Sequence, residues 1–234
     1  MRVISLIVSC LLLVSCNSPE EVNQRLVQAF DDLVFFVAPD RQGAEVRQWN
    51  PYLVRWEGEV RYFVQVEGSP EPGMLEQIDR AMARVGAVAG RKVSRAEKLT
   101  ETNITFTLNA TDRDYRINGA ERASCYANID EIFKPGNQSE DGGKLKKASI
   151  YLPGMRPRVM TACLEHEILH VFGFWGHTQR IRSTMSSFVS ENEMTKWDEM
   201  LLKALYSPNL EPGMKREEAL KRAEQELLLI LAAS

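Results

Sequence analysis

The stretch His166-Glu167-Ile168-Leu169-His170-Val171-Phe172-Gly173-Phe174-Trp175-Gly176-His177 holds all three histidines of a 234-residue chain. On a helix of 3.6 residues per turn, positions 166 and 170 differ by about 40° in azimuth, so both imidazoles project from one face and can reach one ion. Glu167, beside them, is placed to act as a general base: it takes the proton of a bound water and passes it to a leaving amine, without being a ligand itself. A catalytic zinc needs a third protein ligand and one open position, and His177 is the residue at hand. Gly173 lets the chain turn sharply out of the helix, and the following segment carries His177 back toward the ion. Three imidazoles and an open site suit Zn2+, although nickel and iron also accept imidazole.

These side chains need a helix, and the residues around them supply one. Pro157 suits a first turn, and Val159 to Phe172 continues without a breaker until Gly173, a natural carboxy-terminal cap. Upstream, Ala148, Ile150 and Leu152 predict a short strand stopped by Pro153-Gly154. That strand is either an exposed edge able to pair with an extended peptide or an ordinary core strand. Two further strands are expected at Glu59 to Glu67 and Thr102 to Leu108, which alternate apolar and polar residues. Helical spacing recurs over Glu20 to Phe36, Met74 to Ala89 and Met214 to Ala232. Ser190-Glu191-Asn192-Glu193 reads as a capping box opening another helix through Trp197 and Leu205. Asp112 to Gln138 reads as loop. The pattern is α+β, a mixed sheet packed on helices with a smaller helical carboxy-terminal part.

Residues 1–15 read as a signal peptide: Arg2 is the only charge, and Val3 to Val14 is apolar but too short to span a bilayer. Leu13-Val14-Ser15-Cys16 resembles a bacterial lipobox, which implies acylation of Cys16. Ile7-Val8-Ser9-Cys10 matches too but would leave too short an apolar region. The expected organisation is therefore a lipoprotein signal at 1–15 and one domain over 16–234. The expected location is outside the cytoplasm, tethered to a bacterial membrane on the periplasmic side or cell surface, with the outer membrane favoured in a two-membrane cell. More than one buried acyl chain, at about 0.8 kcal/mol per methylene, gives a stable anchor. A net charge of −3 with no basic run offers nothing to nucleic acid.

Cys125 and Cys163 then remain as a pair in an oxidising compartment, and a disulfide closing roughly 40 residues would contribute on the order of 3 to 4 kcal/mol. The other possibility is that Cys163, one turn before His166, is a free thiol or touches the metal.

His166-Glu167-x-x-His170-x-x-Gly173 with His177, followed by Ser183-Thr184-Met185-Ser186, resembles the metzincin clan of zinc endopeptidases. The resemblance implies a zincin-like fold, peptide-bond hydrolysis in a protein or peptide substrate, His166, His170 and His177 as ligands, Glu167 as base and Met185 as a hydrophobic floor beneath the metal. The third histidine comes one residue late, which requires a bulge, for which Gly176 is suited. Otherwise a carboxylate of the next helix, Glu191 or Glu193, takes the third place. From Val46-Arg47-Gln48-Trp49 to Leu205 through Met214 the chain is also similar to an uncharacterised bacterial family of exported proteins. Many of its members carry Glu or Gln at the positions of His166 and His170, so this likeness implies a common fold rather than a common activity. The competing functional reading is a non-catalytic binding or scaffolding lipoprotein with a structural metal site.

Overall fold

The structure is a computed structural model that describes residues 18–37, 48–49, 51–109, 125–132, 142–153, 157–186 and 191–234. The signal peptide, Cys10, Cys16 and Ser190 lie outside the described residues.

Helix α1 (Pro19–Val34) opens with a reciprocal capping box between Ser18 and Glu21 and buries Leu26, Ala29, Phe30 and Leu33. Strands β1 (Phe36–Val37) and β2 (Gln48–Trp49) form a short antiparallel pair. The main sheet is built from β3 (Val60–Glu67), β4 (Val93–Arg95), β5 (Ile104–Asn109), β6 (Tyr126–Ile132) and β7 (Leu145–Pro153), with α2 (Met74–Val88) between β3 and β4. Its order is β4-β3-β5-β7-β6: the first four strands run parallel, and β6 is antiparallel at the edge.

Period-two alternation gives this sheet one apolar face. Register stacks it in rows: Tyr62, Ile104 and Ala148 lie abreast, then Val64, Phe106 and Ile150. All six are buried. Helix α2 and helix α3 (Pro157–Val171), side by side, pack against the sheet, and the Tyr62 hydroxyl donates to Asp79 of α2 at 2.6 Å. Helices α4 (Lys196–Leu205) and α5 (Arg216–Ala232) form a helical group with α1. The observed class is α+β, as expected. No helix among the described residues is long and apolar enough to cross a membrane.

Two expectations are corrected, and one open alternative is decided. Tyr126–Ile132, read as loop, is a strand. Its exposed face (Tyr126, Asn128, Asp130) is polar enough to hide a weak Ala127/Ile129 alternation, and the ladder with β7 supplies what local propensity lacks. Strand β7 is consequently an inner strand, flanked by β5 and β6, and the edge belongs to β6. Helix α4 is capped by a Thr195/Asp198 box and starts later than the Ser190 box would place it. Arg84 holds the preceding residues out of helix by bonding Glu193 at 3.1 Å and the Met194 carbonyl at 2.8 Å.

The segment 51–56 fixes the exit of α3. The Trp56 indole N–H donates to Val171 O at 2.7 Å and the Tyr206 hydroxyl to Phe172 O at 3.0 Å, so carbonyls that the helix leaves unpaired are satisfied by side chains. Arg55 donates to Leu205 O and Ser207 O, doing the same for α4. Directly after this anchored end, Gly173 has φ +113°, and a Cβ there would stand 2.7 Å from Val54 O.

Gly173→Ala should therefore destabilise the fold by roughly 3 kcal/mol or more, from left-handed strain plus overpacking. Gly58→Ala, at φ +84° with nothing within 4 Å, should cost only about 1 kcal/mol. Denaturant unfolding of the two variants measures the difference, and equal losses would mean that the close approach to Val54 is not a constraint.

Candidate metal centre

Helix α3 presents His166 and His170 on one face, one turn apart, as their spacing requires. The chain then leaves through Gly173, and the Gly176 N–H donates to Leu33 O at 2.9 Å, docking the loop on the end of α1. This brings His177 back to the pair. The left-handed turn falls at Gly173, and Gly176 is not among the positive-φ glycines, so the extra residue is absorbed by the docked loop rather than by a left-handed Gly176.

The three Nε2 atoms converge. His166 Nε2 stands 3.2 Å from His170 Nε2 and 3.1 Å from His177 Nε2, and the three ligand atoms lie within 4.8 Å of one another. Thr184 O lies 2.7 Å from His166 Nδ1, and Phe174 O lies 2.6 Å from His170 Nδ1. A carbonyl oxygen can only accept, so each Nδ1 carries the proton and each Nε2 turns a lone pair inward. Two of the three nitrogen pairs, at 3.1–3.2 Å, would subtend about 100° at a zinc ion about 2.0–2.1 Å from each, near the tetrahedral value, and the third pair, within 4.8 Å, is wider. The residues fit a three-histidine metal site.

Glu191 and Glu193, the alternative third ligands, are engaged elsewhere: Glu191 pairs with Arg182 and Glu193 with Arg84. Cys163 is not a metal ligand or a free thiol, because it forms a disulfide with Cys125 that ties the start of β6 to α3.

The Met185 turn is bound to the histidines at both ends. Thr184 O receives the His166 ring, and Met185 O accepts from Thr178 N at 3.1 Å, next to His177. Met185 is fully buried. Beneath the turn lies Asp198, which was not singled out in the sequence and is 0 % exposed. Its carboxylate accepts from the Ser183 hydroxyl, from Thr184 N at 3.0 Å and from Thr195 N at 2.8 Å. The Thr195-x-x-Asp198 spacing, a capping-box variant, was the available signal. Buried Glu165, also unremarked, accepts from Met194 N and from Arg84, linking α2, α3 and the approach to α4.

A cleft of about 520 Å³ opens over the centre, lined by the three histidines, Glu167, Phe174 and Trp175 on one side and by residues 125–129 of the β6 edge on the other. Glu167 is 7 % exposed, and burial pushes its carboxyl up to about 7, while a hydrogen bond from the Ala127 backbone acts to lower it. Of the polar residues near the motif, Tyr206 is buried and occupied with Trp56 N and Phe172 O. Tyr151 stacks on Tyr126 with centroids 5.2 Å apart.

Burial lowers all three imidazoles, His170 to about 3 and His177 to about 4; neighbouring rings add to the effect at these two, while the Thr184 carbonyl and Asp198 oppose it at His166. A histidine held neutral in the fold contributes stability that is complete above its unfolded value of about 6.5 and is lost as pH falls below it, because the unfolded chain then binds more protons. The raised carboxyls of Glu167 and Glu165 act in the opposite sense in the same range. In the presence of chelator, His170→Gln should accordingly show a smaller loss of thermal stability between pH 7.5 and 5 than the parent chain. Parallel curves would contradict the neutral, buried state of His170.

No curated protein matches the chain. The family described as "Protein of unknown function (DUF2927)" matches residues 23–225, a span that takes in the whole sheet, the histidine cluster, Glu167 and Asp198. The chain belongs to that family.

Proposed function

We propose that this protein is a zinc-dependent peptidase held outside the cytoplasm by a lipid on Cys16, with a zincin-like catalytic domain. The observation that carries the reading is the convergence of three inward-facing Nε2 atoms beside a buried carboxylate on the wall of an open cleft. His166, His170 and His177 would hold the ion, and Met185 would lie under it. A zinc ion so held supplies Lewis acidity and lowers the pKa of water at its open position to about 7.

The chain's own residues do the rest. Glu167 takes the proton from the attacking water at a carboxylate oxygen and returns it to the leaving amine nitrogen. Glu167 and Ala127 line the same cleft, and a backbone hydrogen bond from Ala127 to the Glu167 carboxyl supports a reading in which this N–H faces the cleft, away from β7. In an antiparallel strand the N–H and C=O of one residue point the same way, so Ala127 O also faces the cleft, where an extended peptide can pair with it. A strand-pairing groove of this kind favours protein or peptide substrates.

A structural site would be closed by four protein ligands. Here the described cluster has three, a cleft over it, and a carboxylate that a structural ion would not use.

Glu167→Gln should leave zinc content unchanged and lower hydrolysis of a peptide library by a factor on the order of 10² to 10⁴. A zinc-loaded parent chain that cleaves no peptide, or a variant that cleaves as well as the parent, would sink the enzyme reading in favour of a binding lipoprotein.

A further inference from the structure

Helices α1 and α5 lie antiparallel, and two contacts fix their register. Arg216 pairs with Asp31 at 2.7 Å, and Asn23 donates to Glu224 O at 3.5 Å. The second contact lies eight residues back along α1 and eight residues forward along α5. Continuing that register brings Ser18, the cap of α1, level with Leu229. Leu228 and Leu229 are 45 % and 65 % exposed, adjacent large apolar side chains at the surface, with Ile230 and Leu231 half-buried beside them.

Ser18 lies two positions after Cys16, and two residue steps of chain span at most about 7 Å. An acyl group on Cys16 therefore enters the bilayer at the same end of the α1–α5 pair as the exposed leucines. We infer that the Leu228–Leu229 end of α5 is a membrane-facing surface that inserts into the interfacial zone beside the lipid anchor and so orients the domain. The inference rests on the acylation of Cys16 proposed above.

The contact is apolar rather than headgroup-specific. Glu20, Glu21 and Glu226 stand near this end, and acidic side chains give no attraction to anionic lipids. A short apolar patch and an acyl anchor are two weak signals that together hold one orientation, where either alone leaves the domain free to swing. The α1–α5 end would then rest on the membrane.

The test uses the full chain, acylated in a bacterial host and reconstituted into phosphatidylcholine vesicles. With Cys10 removed in the cleaved signal, Cys16 acylated and Cys125 paired to Cys163, a cysteine introduced by Leu229→Cys is the one site for a polarity-sensitive dye. Leu99→Cys, 50 % exposed in the turn between β4 and β5, is the comparison. A lipid-borne quencher should remove most of the fluorescence at position 229 and little at 99. Acylated protein with equal, weak quenching at both positions overturns the inference while leaving the anchor intact. A blue-shifted but unquenched dye at 229 in a chain that sediments as a dimer overturns it in favour of a second copy as the occupant. The intact mass decides the anchor separately, and an unacylated mature chain removes the anchor and the inference together.

Discussion

Two backbone carbonyls set the chemistry of the histidine cluster. Thr184 O and Phe174 O accept hydrogen bonds from the Nδ1–H groups of His166 and His170, and this tautomer leaves the Nε2 lone pairs facing one another. Neutral lone pairs crowded this closely repel, and burial has depressed the proton affinity that would relieve them. Such an arrangement is sensible around a cation, and its stability depends on how firmly the carbonyls are held.

Each is held by a different part of the fold. Phe174 is tied back to the helix through its N–H to Leu169 O at 3.1 Å, downstream of Gly173 and of the Trp56 and Tyr206 bonds that fix the end of α3. Thr184 is held from below by Asp198, whose buried carboxylate gathers Ser183, Thr184 and Thr195 around the start of α4. Glu165 and Arg84 join α2 to α3 and to the residues before α4. The disulfide does the corresponding work on the other wall, holding β6 to α3 so that Ala127 meets Glu167. Positioning of the site is thus distributed across the sheet edge, the loop and the helical group.

What could be read from the residues alone follows from the range of the interaction concerned. The helical placement of His166 and His170 and the three inner strands β3, β5 and β7 rest on local periodicity, and they were legible. The return of His177 was legible as a need, but its means was not: Gly173 carries the turn, and the N–H of Gly176 docks on Leu33, a partner far away in the chain. Strand β6 was missed because its polar face resembles a loop until β7 and the disulfide are in place. Asp198 was missed for the same reason. In sequence it is one acid on an amphipathic helix, and only the fold places the Met185 turn over it.

The central claim is that three imidazoles, the last arriving one residue later than in the pattern the chain resembles, hold one ion. Elemental analysis of the purified chain beside its His177→Ala variant tests this most directly. The account predicts about one zinc per chain in the parent, as a single tetrahedral site implies, and loss of zinc from the variant at comparable secondary-structure content. Undiminished zinc in His177→Ala would remove His177 from the centre and contradict the account.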